Sequence, residues 1–134
     1  MTLARPSFRP DSSLSREEML ALQREIAAAA AFDDDHDLTP VSVAVNEATA
    51  LTNGLPESEP DAGDADDPVV VGVDQAFCTD RDGGPDAAVS AAVAMRGGRV
   101  IEYASAVTPL SIPYVPGLLS FREGTPILAA LESL

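Results

Sequence analysis

The chain has no lysine, no tryptophan, one histidine and one cysteine among its 134 residues. Each scarcity closes a route. A lone cysteine, Cys78, builds no disulfide framework and suits a reducing cytosol, so a cytoplasmic location is expected. A lone histidine, His36, is the single candidate base for a nucleophilic triad, and no other residue points towards it. Aromatic residues make up 4% of the chain, so the expected core is poor in aromatic area. No run of about 18 apolar residues occurs, so no membrane-spanning helix is expected. The N-terminus has no charged segment followed by an apolar stretch, so no secretory signal is expected either.

What is abundant is acid. Twenty-two aspartates and glutamates face eight arginines, for a net charge of −14. A dense acidic surface keeps a protein soluble in high salt, and the composition fits a halophile better than an ordinary acidic protein. At face value such a charge argues against binding nucleic acid, because phosphate contacts come from Lys and Arg. In molar salt, charges are screened within a few ångströms. Net charge then vetoes little, and local sites decide.

The length suits one modest domain. Residues 1–14 are polar and expected to fray. Ser15 and Glu18 read as a capping box opening a helix to about Ala31, with Met19, Leu22 and Ile26 on one face. Asp33, Asp34, Asp35, His36 and Asp37 end that helix. Contiguous acids point in different directions, so a solvated turn is favoured over a metal cluster. Residues 46–68 hold seven acids and no base. Such a stretch reads as a linker or mobile loop. The organisation expected is therefore a tail and helix over 1–45, an acidic linker over 46–68, and a compact unit over 69–134.

That unit opens on Val69–Phe77, a β-branched run that predicts a strand covered on both faces. Ala87–Met95 reads as a second strand. Gly97-Gly98 marks a hairpin, and Val100–Val107 a third strand. In that strand Ile101, Tyr103 and Ser105 alternate with Glu102, Ala104 and Ala106. Sequential strands with short connections predict an antiparallel meander. A helix is predicted from Thr125-Pro126, with Thr125 as N-cap and Pro126 at the first helical position. Its stripe of Ile127, Leu128, Leu131 and Leu134 runs to the last residue without a stop signal, so a continuation of the domain is expected.

Before that helix lies Ser111-Ile112-Pro113-Tyr114-Val115-Pro116-Gly117-Leu118-Leu119-Ser120-Phe121-Arg122-Glu123. Two prolines fix φ around a tyrosine, and a glycine lets the chain turn. A stiff loop with an aromatic at its tip is a wedge, and stacked DNA bases are one target for such a wedge. Asp74 interrupts an apolar strand. Alone, it reads most simply as a strand-end group satisfied by a neighbouring loop. Glu123 alters that balance. If the last helix packs back across the meander, the two carboxylates approach each other, and a divalent cation would relieve their repulsion. Mg²⁺ commonly takes one or two carboxylates plus phosphate oxygens. Arg122 is either a bidentate phosphate contact or a surface ion pair.

The run Val71-Gly72-Val73-Asp74-Gln75-Ala76-Phe77 and the Pro-Tyr-x-Pro-Gly…Phe-Arg-Glu combination resemble the endonuclease V family over roughly residues 15–134. The resemblance implies an α/β protein of the RNase H-like fold. It implies a DNA repair nuclease that cleaves a phosphodiester on the 3′ side of deoxyinosine with Mg²⁺ or Mn²⁺. Asp74 and Glu123 then correspond to catalytic metal ligands. Pro113, Tyr114, Val115 and Pro116 correspond to the strand-separating wedge, and Gly117 to the pocket for the flipped base. Arg122 stands beside the catalytic glutamate. The implied partner is DNA containing deoxyinosine, with inosine-containing RNA as the alternative.

Family members continue further, with an Asp-Gly-x-Gly strand carrying a third metal aspartate, a downstream histidine and a lysine. None of these is in this chain, so the antiparallel three-strand meander with helices is expected to be an incomplete part of the fold. Two other readings therefore stand beside the nuclease. One is a catalytically inactive truncated fragment. The other is a nucleic-acid-binding module that does not cut.

Overall fold

The computed structural model describes residues 4–33, 36–43, 57–78 and 86–134. After a 3₁₀ turn at Pro6–Phe8, the elements are α1 (Arg16–Ala29), α2 (Pro40–Val43), β1 (Val69–Cys78), β2 (Ala87–Arg96), β3 (Arg99–Pro109) and α3 (Leu119–Glu132). The capping box starts α1 as expected. The Glu18 amide donates to Ser15 Oγ at 3.3 Å, and the Ser15 amide donates to Glu18 Oε2 at 2.7 Å. These contacts satisfy two of the amides that a helix start leaves unpaired.

The three strands form one antiparallel sheet in the order β1-β2-β3. Gly97 and Gly98 turn the second hairpin with φ of 55° and 77°. Positive φ at both positions belongs to a primed turn, whose twist matches that of the flanking strands. Directly paired residues of an antiparallel ladder project to the same face. On β2, Ala88, Ser90 and Ala92 are 0% exposed, while Val89 and Ala91 point the other way and are exposed. Helix α3 covers the buried row and packs against all three strands. Ala130 and Pro126 are buried where it does so. Small side chains on both surfaces let helix and sheet close together.

A second apolar cluster lies outside the sheet. Met19 of α1, Ile112 and Leu118 of the connecting loop, and Phe121 of α3 are buried together, with Leu14, Leu20, Leu22 and Val115 packed around them. Full burial of each such side chain stabilises by roughly 1.5–3 kcal/mol. This cluster fixes the loop between β3 and α3.

Several expectations change. Helix α3 begins at Leu119 rather than near Thr125, and Pro126 lies inside it. Phe121, buried three residues after buried Leu118, carries the helical turn back towards the loop. Pro126 costs one intrahelical hydrogen bond, and its full burial offsets that loss. Thr125 does not cap the helix; its hydroxyl donates to the Pro10 carbonyl at 3.5 Å. The N-terminal segment is accordingly held down, and Arg9 also pairs with Glu132.

β1 is expected to be covered on both faces, yet it is an edge strand with Val69, Val71 and Phe77 exposed. Cys78 is exposed at its end. On β3 the row facing the helix is Ala104, Ala106 and Thr108, opposite Ala92, Ser90 and Ala88. A register shift at Ala94/Met95 leaves Ile101 without a partner, so Tyr103 and Ser105 occupy the open face.

Part of the expected linker also docks. The Glu59 amide donates to the Val100 carbonyl at 2.8 Å, and Arg99 donates to both Glu59 carboxylate oxygens at 2.9 and 2.7 Å. Residues 46–56 of that stretch lie outside the described residues. So do Asp34 and Asp35 of the acidic turn, where the Leu38 amide donates to His36 Nδ1 at 3.2 Å.

Candidate functional site

The proline-bracketed loop is anchored at both ends and open at its tip. Ile112 and Leu118 are buried, whereas Tyr114 is 64% exposed and Pro113 and Pro116 are exposed beside it. Val115 leans on the apolar cluster. The Leu118 amide donates to the Val115 carbonyl at 3.0 Å, closing a turn with Pro116 and Gly117 at its centre. Proline followed by a glycine at φ +85° is the pattern of a type II turn, in which the third residue requires positive φ. A Cβ added at Gly117 would meet nothing within 4 Å. The glycine is therefore needed for its backbone angle, and the space beside it is open.

Two side chains clamp this loop from neighbouring helices. Arg122 on α3 donates from Nη1 to the Ile112 carbonyl at 3.0 Å, at the loop entry. Gln23 on α1 donates from Nε2 to the Gly117 carbonyl at 3.0 Å, at the loop exit. The Arg122 guanidinium also lies over the Phe77 ring, 4.9 Å from its centre. The two sequence readings of Arg122, phosphate contact or surface ion pair, are joined by a third: it ties α3, β1 and the loop together.

Glu123 is half-buried on the first turns of α3, not in a loop ahead of the helix. Asp74 is exposed on β1, opposite Ala91 and, across the sheet, Ser105. Odd spacing from Phe77 and Gln75 puts Asp74 on the sheet face away from the row that α3 covers. Helix α3 does pack back across the meander, as anticipated for bringing the carboxylates together. The strand then presents Asp74 on its other side, about 10 Å along β1 from Phe77 at a rise of roughly 3.3 Å per residue. Among the described residues neither carboxylate has a hydrogen-bond or ion-pair partner. None of those residues forms a group of three or more His, Cys, Asp or Glu fit to hold a metal.

Gly124, next to Glu123, explains how the N-terminal segment crosses α3. A Cβ there would come 2.5 Å from Pro10 Cγ. Gln23, Phe77 and Pro10 were not identifiable as site residues from sequence. Gln23 carried a faint signal, one helical turn after Met19 on the same face of α1.

Residues 56–134 match the family model described as Endonuclease V. An endonuclease V of Natronomonas pharaonis is 49% identical over all of this chain, which covers 44% of that relative. One from Halobacterium salinarum is 48% identical over all of this chain and 48% of its own length. The chain thus spans about half the length of the curated relatives it matches. A crystal structure of the endonuclease V from Streptomyces avermitilis aligns with a TM-score of 0.56 at 32% identity, over 89% of this chain and 40% of that one. The crystal structure from Bacillus subtilis aligns with a TM-score of 0.62 at 20% identity, over 92% and 42%, a likeness of fold. These neighbours have the RNase H-like fold, and the α/β arrangement described above is part of it.

Proposed function

The chain belongs to the endonuclease V family, and from that premise we propose that it carries the lesion-probing loop and two metal-binding carboxylates of a DNA repair endonuclease. The substrate is DNA containing deoxyinosine, cut at a phosphodiester on the 3′ side of the lesion. The observation that carries this reading is Tyr114, exposed at the tip of a loop whose ends are buried and clamped. A wedge must be stiff at its base and free at its point, and this loop is both. A base read in a pocket must leave the stack at a cost of a few kcal/mol, least for a damaged pair. Tyr114 fills the gap, and the open space beside Gly117 receives the base.

Asp74 and Glu123 offer hard oxygen donors, which suit Mg²⁺ or Mn²⁺. Two carboxylates are fewer protein ligands than a three-carboxylate site provides, and Asp74 projects from the sheet face away from α3, so as placed here the two do not form one cation site. Arg122 holds α3, and with it Glu123, against β1. The acidic composition and the relatives from halophilic archaea support work in a salty cytoplasm. There screening makes the net charge of −14 compatible with DNA.

A second reading applies to these 134 residues on their own: they bind and do not cut. The absence of a third ligating group among the described residues favours it. Incubation with a deoxyinosine duplex and Mg²⁺ in high salt tests it. Little or no nicking is expected, and robust nicking abolished by Asp74→Ala would contradict it. In a nuclease of the relatives' length bearing these residues, Glu123→Ala abolishes cutting, whereas Tyr114→Ala mainly weakens lesion recognition. Wild-type activity in either variant would defeat the assignment.

A further inference from the structure

We infer that Gln23 is a positioning residue for the wedge: α1 sets the pose of the Pro113–Gly117 loop by holding the Gly117 carbonyl. The inference rests on the proposed function only for what the loop does once posed. A type II turn keeps its shape through one backbone bond, here Leu118 to Val115. The Leu118 amide belongs to the Gly117–Leu118 peptide, which begins at a glycine with φ +85° and no neighbour within 4 Å of a would-be Cβ. Sterics therefore do little to hold that peptide beyond the turn bond on its N–H edge, and glycine costs more than other residues to hold in one conformation. The Gln23 carboxamide supplies a second restraint, on the carbonyl edge of the same peptide, at 3.0 Å.

Its own position is well determined. Met19, one turn earlier on α1, is buried against Ile112, Leu118 and Phe121, and Leu22 packs beside them. Apolar packing brings α1 to the loop, and Gln23 converts that proximity into a directional bond. The clamp mirrors that of Arg122 at the loop entry. It differs in belonging to an element that precedes the residues matched by the family model, which start at 56. A change in α1 can therefore alter the wedge without touching Asp74 or Glu123.

The test uses the chain with Gln23→Glu, Gln23→Leu and, as control, Glu25→Gln on the exposed side of α1. A carboxylate cannot donate to the carbonyl, and leucine keeps the packing volume without a donor. Amide hydrogen exchange of the segment 112–121 should rise about fivefold in both Gln23 variants, the scale of one net hydrogen bond. Exchange across β2 and the control should stay at wild-type rates. In molar salt, the ratio of affinities for a deoxyinosine duplex over an unmodified duplex should fall by a similar factor, with affinity for the unmodified duplex unchanged. Unchanged exchange at 112–121, or an equal rise in β2, would overturn the inference, since the second pattern marks a residue that merely stabilises the fold. A wild-type chain that does not discriminate between the duplexes counts against the substrate reading, while the exchange data decide the positioning claim by themselves.

Discussion

The guanidinium carbon of Arg122 sits 4.9 Å from the centre of the Phe77 ring while its Nη1 donates to the Ile112 carbonyl at 3.0 Å. One side chain thus joins the third helix to the first strand and to the entry of the exposed loop. Arginine suits both tasks, since a planar guanidinium stacks on a ring and donates along its edge at once. Lysine stacks poorly and has no fork. Arg122→Lys should destabilise the chain by about 1–2 kcal/mol and Arg122→Ala by about 2–3 kcal/mol. The check is the urea midpoint in molar salt. Equal midpoints for wild type and Arg122→Lys would mean that charge alone matters there.

Gly124 should resist substitution for a reason unrelated to its backbone angle. Alanine normally gains about 1 kcal/mol over glycine inside a helix. Here the added methyl would lie 2.5 Å from Pro10 Cγ. Overpacking of that kind costs about 1–3 kcal/mol, so Gly124→Ala should lower stability despite its better propensity. Adding Pro10→Ala, which removes the opposing carbon, should recover most of the loss. A double-mutant cycle without coupling would show that the N-terminal segment does not press on α3.

Three exposed carboxylates tie the N-terminal region to pH. The Ser15 hydroxyl, then its amide, holds Glu18 below the usual glutamate range. The Ser13 hydroxyl and amide do the same for Asp11, and the Arg9 guanidinium for Glu132. With the folded value lowered, the unfolded chain binds more protons. The contribution is therefore complete above the ordinary values of 4.5 for glutamate and 3.8 for aspartate, and fades as pH falls through the folded values. Glu18→Gln keeps a capping-box side chain that does not titrate. Helicity followed from pH 7 to pH 3 should decline less steeply in Glu18→Gln than in wild type. Identical acid limbs would remove the capping box from the account.

Features set by a few neighbouring residues were legible in the sequence. Ser15 and Glu18 specified a helix start, Gly97-Gly98 a hairpin, and two prolines around Tyr114 a stiff loop; all three are present. The start of α3 was not legible because Thr125-Pro126 is locally a good helix start. Burial of Leu118 and Phe121, a tertiary effect, carries the helix past that signal and puts proline in its interior. The face of Asp74 needed the pairing register as well as its place in a strand. An apolar run predicted a strand covered twice, but composition cannot say what covers it. Gln23 was silent for a similar reason. A helix-surface glutamine has many uses, and only the packing of Met19 against the loop selects one.

The apolar base of the wedge should matter as much as its tip. Phe121 is 4% exposed at the junction of α1, the loop and α3. Phe121→Ala should cost about 3–5 kcal/mol, and its effect should reach the loop. Hydrogen exchange at 112–118 should rise more than exchange in β2. A loss confined to the sheet would separate the loop from that cluster.

The central claim is that Tyr114 probes DNA for a flipped base from a loop fixed at both ends. Its most direct test is the affinity of wild type and Tyr114→Ala for two duplexes in molar salt, identical but for a single deoxyinosine. Wild type should prefer the deoxyinosine duplex. Tyr114→Ala should lose most of that preference, by about tenfold for a stacking contact of roughly 1–3 kcal/mol, while its urea midpoint stays at the wild-type value. An unchanged preference in Tyr114→Ala would contradict the account.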